Sequence, residues 1–401
     1  MNTLKKKNSL FWRRLSFITF TIFYIVALNP DLTNQFYLWH GVQALVVGVC
    51  LIQSQKMRKD IYLKWIFGYY LLLIVSVIWA TNLSAAFSGV FSFAMIQIPI
   101  IFMHYWVRDD VDFKICILSV LLGLVINGIY AVYVAGWFNY IGVDTPGLYY
   151  WAANATSRRY AIGVVFALFL LKDLDSKRNK ALIIGCLVLF SYVLIYCGSR
   201  GALILVATSL LVTIGVKDEP NWKKVTKMII SIGAVIVLYN VFLNNDMLYA
   251  IIGKRFDRFN RNYAMGGIAG AETERINMIK SGMDLFLKRP ILGYSYDGFR
   301  ANTSFNKYSH NDYIEILVEL GLIGFFVFYS IYFFMISKAK ILCTKINKKD
   351  YSLFVGCFFG LIIFNFVSIT RYDVVVQTFI SFYILCIDLR YGKIGKLKAG
   401  R

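Results

Sequence analysis

Residues 113–137 read FKICILSVLLGLVINGIYAVYVAGW, with Lys114 as the one charge. About 20 mostly apolar residues carry a helix through the hydrocarbon core of a bilayer, so this run alone predicts a membrane span. Moving outward, comparable runs fall at 15–28, 36–54, 61–80 and 86–106 before it. After it come 160–171, 180–197, 201–216, 225–243, 312–336, 350–370 and 374–390. Composition agrees: 58% of the 401 residues are hydrophobic and 16% charged, whereas a soluble domain carries about 25% charged residues. The expected fold is all-α, a polytopic membrane helix bundle of about 12 transmembrane helices with one long, partly helical external loop. Residues 1–243 are expected to supply the first nine spans, 244–311 the loop with an amphipathic helix, and 312–401 the last three spans and a basic tail.

The net charge of +21 would suit a nucleic-acid binder in a soluble chain. Its placement gives a different reason. With the N-terminus inside, Lys and Arg concentrate in alternate connections and at both ends, as the positive-inside rule requires, so no nucleic-acid partner is needed. Both termini are then cytoplasmic. The first span follows a basic start, like a secretory signal, but no small-residue cleavage site follows Leu28, Asn29 and Pro30, so it is expected to remain as a helix. The seven cysteines form neither a disulfide framework nor a metal-ligand spacing. Matched Pro or Gly interruptions in two halves, the mark of many transporters, do not stand out.

One external connection is long, residues 244–309, and long loops in compact proteins usually carry function. Within it, residues 272–289 read as an amphipathic helix, opened by Glu272 and Glu274, closed by Lys288 and Arg289 and stopped by Pro290. Arg275 lies in the first turn, where free backbone N–H groups already favour an anion; the alternative is pairing with Glu272 or Asp284. His40 and His104 sit near the ends of apolar spans and read as packing residues. His310 stands where the loop meets the bilayer, and its imidazole can accept a proton near neutral pH. Asn311 can cap the following helix. Asp312, Glu315 and Glu319 recur at helical spacing there, a face that must find basic partners or water, since carboxylates near hydrocarbon are costly. Arg200, in the tight turn Gly198 to Gly201, and Arg371, beside Asp373, either face lipid phosphate through their planar forks or merely snorkel. The acid pairs Asp110, Asp112 and Asp173, Asp175 imitate metal and sugar-nucleotide sites but fall on the cytoplasmic side. No phosphate-cradling Gly loop, nucleophile elbow or zinc helix is present.

His310 and Asn311, then nine residues, then Gly321 and Gly324 resemble the pattern that closes the long periplasmic loop of bacterial O-antigen ligases. The turn Ser199, Arg200, Gly201 and the stretch from Phe286 through Arg289, Pro290 and Gly293 to Tyr294 are also similar to that ligase and polymerase superfamily. The resemblance implies a metal-independent, cofactor-free glycosyltransferase of the inner membrane with its active site facing the periplasm. The donor would be a glycan on undecaprenyl diphosphate, and the acceptor a sugar hydroxyl of lipid A-core, completing lipopolysaccharide. The arginines at Arg200 and Arg275 and the histidine at His310 would serve the active site, with Asn311, Arg371, Glu315 and Tyr294 as substrate-binding candidates. His310 would act as general base while the arginines stabilise the departing diphosphate, with inversion. The nearest rival is an O-antigen or capsule polymerase using the same donor; from a different class, a lipid-linked sugar flippase would require ionisable residues deep in several helices.

Overall fold

The computed structural model describes residues 2–53, 60–135, 153–197, 199–216, 220–227, 229, 244, 249, 273–344 and 351–399. The ninth predicted span (225–243), the first half of the long loop, Glu272 and Gly198 therefore lie wholly or largely outside the described residues. The chain is an all-α polytopic membrane bundle, and eight of the described helices are long and apolar enough to cross a bilayer.

Its helices, in chain order, are α1 (Asn2–Leu28), α2 (Pro30–Thr33), α3 (Phe36–Gln53), α4 (Ile61–Ser76), α5 (Leu83–Trp106), α6 (Asp110–Ala135) and α7 (Ala153–Leu171). They continue with α8 (Lys177–Cys197), α9 (Arg200–Gly215), α10 (Thr273–Lys288), α11 (Gly298–Ala301), α12 (Asp312–Cys343), α13 (Ser352–Phe364) and α14 (Val374–Ala399). Polar caps fix where several begin: Asp60 accepts from the Leu63 N–H at 2.9 Å and Asn82 from the Ala85 N–H at 3.1 Å. Two short apolar helices, α9 and α13, meet through small residues. A Cβ on Gly356 would stand 2.5 Å from the Ser209 carbonyl, and one on Gly360 2.9 Å from that of Leu205. Such close backbone approach is how helices associate in lipid, where no hydrophobic drive exists between them.

The helix α12 holds the main departure from a simple bundle. It runs for 32 residues, about 48 Å at 1.5 Å per residue, against roughly 30 Å of hydrocarbon. At Gly321 it breaks, with φ 61° and ψ −160°, a region only glycine visits readily. An unbroken helix would bond the Leu322 N–H to the Val318 carbonyl and the Ile323 N–H to that of Glu319. Here the segment after α10 takes all four groups. Tyr294 N–H donates to Val318 at 2.9 Å and Ser295 N–H to Glu319 at 2.7 Å, while Leu322 and Ile323 donate to Pro290 and Ile291 at 2.8 and 3.4 Å.

Gly321 and Gly324 read from sequence as helix-packing residues. Gly321 instead opens the helix so that a loop can enter it, and its Cβ would lie 2.3 Å from the Ile291 carbonyl oxygen. Gly293, at φ 65°, is needed from the other side, where a Cβ would stand 2.5 Å from the Val318 oxygen. The inserted segment is also tied to the start of α5 and the end of α4: Ser76 and Ser295 hydroxyls lie 2.9 Å apart, and Trp79 Nε1 donates to the Leu292 carbonyl at 3.2 Å.

Gly321→Ala is expected to destabilise the protein by more than about 2 kcal/mol, because backbone strain and a backbone clash add. The check is a lowered unfolding midpoint in detergent, together with faster proteolysis within residues 289–295. Gly185→Ala, whose Cβ meets nothing within 4 Å, should leave both unchanged.

Candidate functional site

His310 occupies the residue before the cap of α12 and has a left-handed backbone, φ 55°. A histidine there costs roughly 1–3 kcal/mol unless its neighbours enforce it. They do. The Ser309 N–H donates to Glu315 Oε2 at 2.7 Å, and its hydroxyl donates to the Asn311 carbonyl at 2.9 Å. Asn311 Oδ1 accepts from the N–H groups of Tyr313 and Ile314 at 3.0 and 3.1 Å, and the Asp312 N–H donates to the Asn365 carbonyl at 2.8 Å. The imidazole packs on Tyr308, ring centroids 4.6 Å apart.

The amphipathic α10 lies across the first turns of α12. Met278 and Leu285 join Tyr294, Phe299, Ile314 and Val318 in a small separate core. Gly282 makes the approach possible, since a Cβ there would stand 2.2 Å from the Ile314 side chain. Glu274, in the first turn, forms an ion pair with Lys307. Arg275 is thereby placed so that its charge acts on His310. Burial first, then Arg275 and Lys307, hold the His310 pKa below the usual 6.5, with Glu274 opposing. The imidazole is therefore mostly in its neutral form at neutral pH.

Arg200 opens α9 on the other side of this region. Its neighbour Gly201 packs closely on Phe364 and Val367, where an added Cβ would stand 2.9 and 3.1 Å from their side chains. Asn365, one residue along, is the group that receives the Asp312 N–H. The turns bearing Arg200 and His310 are thus joined through residues 364–367.

The substrate-binding candidates are buried. Arg371 is 0% exposed, with Nη1 2.8 Å from Asp312 Oδ1 and Nη2 paired to Glu319. The carboxylates on α12 needed a basic partner, and Arg371 supplies it. Tyr294 is a core residue, its ring 4.6 Å below the Arg289 guanidinium. Glu315 and Asn311 hold the backbone around His310 through the contacts above.

Sequence reasoning missed Arg158 and Lys307. Buried Arg158 donates to the Ile369 carbonyl at 3.0 Å and to Asp373 at 3.0 Å, and Arg159 reaches the same carboxylate at 2.8 Å. Together with Arg371 they fix the turn that bridges Arg200 to α12. The signal was present as two adjacent arginines at the head of an apolar run. Of the acid pairs, Asp112 is engaged by Arg13 at 2.7 Å and Asp173 by Lys114 at 3.0 Å. Among the described residues, Asp60, His104 and Asp388 bring ligand atoms within 4.8 Å of one another. This group sits at the far end of α4 from the segment at Ser295, and His104 already contacts Asp60 and Ser381 at 3.3 and 2.9 Å.

No curated protein matches the chain. A family model described as O-antigen ligase matches residues 185–329, the stretch that runs from within α8 through Arg200, Arg275 and His310 to beyond the break in α12. That match supports membership of the O-antigen ligase-type superfamily.

Proposed function

We propose that the protein is a glycosyltransferase that moves an O-antigen glycan from undecaprenyl diphosphate to a sugar hydroxyl of lipid A-core, at the periplasmic side of the inner membrane. The observation that carries this reading is the His310 imidazole, kept neutral and clamped beside Arg275 and Lys307 within the family-matched stretch. A cationic surround normally argues against placing a base there, unless an anionic substrate belongs in it.

In the proposed reaction, His310 takes the proton of the acceptor hydroxyl as its oxygen attacks the anomeric carbon of the donor from the face opposite the diphosphate. The bond from that carbon to the diphosphate oxygen breaks, and the electron pair leaves with undecaprenyl diphosphate. Arg200 and Arg275 stabilise the charge that grows on the leaving group, so neither a metal nor an acid catalyst is called for. The imidazolium then releases its proton to water. A planar guanidinium binds a diphosphate in bidentate fashion, which gives Arg200 a role that an ammonium does not fill.

The polymerase reading shares donor and mechanism and differs in acceptor. Deleting the protein separates them: loss of a ligase leaves lipid-linked polymer unattached to core, whereas loss of a polymerase leaves core capped with a single repeat unit.

In vesicles with purified donor and acceptor, His310→Ala is expected to lower transfer by about 10²- to 10⁴-fold; near-normal transfer rules out the base role. Arg200→Lys should lose at least about tenfold, and full activity would mean that Arg200 serves the fold alone. The pH dependence has a defined sign. Because the His310 pKa is depressed, the midpoint of the acid limb of kcat/KM should lie below that of an ordinary imidazole. Lys307→Gln removes a neighbouring positive charge and should move that acid limb upward.

A further inference from the structure

Large apolar side chains exposed near the head of α12 fall into two groups. Leu287, Ile291, Leu292, Leu322, Ile323 and Phe326 belong to α10's end, the inserted segment and the helix just past the break, and suit contact with lipid. Tyr308 stands apart, 42% exposed, with Lys307, Ser309 and His310 as its chain neighbours.

Its backbone is fixed on both sides. Lys307 is held by Glu274, and the Ser309 N–H by Glu315. One part of the ring meets the imidazole, 4.6 Å between centroids, and the rest is open to solvent. A rigid aromatic ring binds at low entropic cost, offers an apolar surface and carries a polar hydroxyl at its edge. A pyranose is its chemical complement, with C–H faces that stack on a ring and a rim of hydroxyls for flanking polar groups.

We propose that Tyr308 is the platform on which the acceptor sugar ring stacks, so placed that one hydroxyl of the stacked sugar reaches the His310 imidazole. This inference rests on the glycosyltransferase reading. The acceptor is assigned over the donor because a general base must touch the nucleophilic hydroxyl, and that hydroxyl belongs to the acceptor. The donor's diphosphate is instead matched to the arginines.

The experiment compares Tyr308→Ala, Tyr308→Phe and Tyr308→Trp in vesicles supplied with lipid-linked donor and a core-oligosaccharide acceptor. Tyr308→Ala is expected to raise the acceptor KM roughly tenfold or more, with kcat within about threefold and donor KM unchanged. The Phe and Trp variants, which keep the ring, should stay within about threefold of the parent. An unchanged acceptor KM in Tyr308→Ala overturns the proposal; so does an effect confined to donor KM. Titrating soluble core oligosaccharide into Tyr308→Trp should give a fluorescence change absent from the parent, and none at all also overturns it. If the parent itself transfers no glycan, the function proposed above fails; if the parent is active and Tyr308→Ala is normal, only the platform fails.

Discussion

The interlock between the broken helix and the segment inserted into it organises everything around His310. Breaking α12 at Gly321 frees four backbone groups, and leaving one buried and unbonded costs about 1–3 kcal/mol. Residues 290–295 supply a partner to each. In lipid, non-helical backbone survives only where protein covers it in this way. The consequence is local rigidity: α10 ends at Lys288, the inserted segment follows at once, and α10 is therefore laid across the head of α12 with Arg275 facing His310.

A second constraint acts from the opposite side. Asp312 and Glu319 are buried on α12, and Arg371 joins them with both of its terminal nitrogens. Buried ion pairs of this kind rarely add net stability, since desolvation opposes the attraction, but removing one partner leaves a stranded charge. Arg158 and Asp373 hold the same turn from α7. The charges near the head of α12 thus divide by environment: those that are fully buried brace the turn between α13 and α14, whereas Arg275, Lys307 and His310 are each partly accessible.

Much of this was legible in the chain itself. Apolar runs such as 113–137 and 312–336 appear as most of α6 and the first 25 residues of α12, because length and hydropathy alone decide a span. The amphipathic helix was readable from Ile276, Ile279, Met283 and Phe286, and the acidic face of α12 announced that basic partners were needed. What sequence did not disclose was which arginine would answer: Arg371 lies in a tight turn that looks exposed in one dimension and is fully enclosed in three. The role of Gly321 was hidden for a related reason, as was the link between the segment at Tyr294 and the helix it enters. Their motifs, one before the His-Asn pair and one after, are separated by dozens of residues, and no periodicity reports that they exchange backbone hydrogen bonds.

The left-handed histidine was likewise invisible beforehand, since residue type does not reveal φ. The strained residue is held in place by Ser309, Asn311 and Glu315 at a cost to stability, as strained residues at functional sites commonly are. The decisive measurement is an experimental structure of the protein with a non-transferable sugar diphosphate polyprenyl bound. The diphosphate is expected between the guanidinium groups of Arg200 and Arg275, with the anomeric carbon on the side of the His310 ring. A diphosphate seated away from Arg200 and Arg275, or a His310 ring turned from the sugar, would contradict the mechanism.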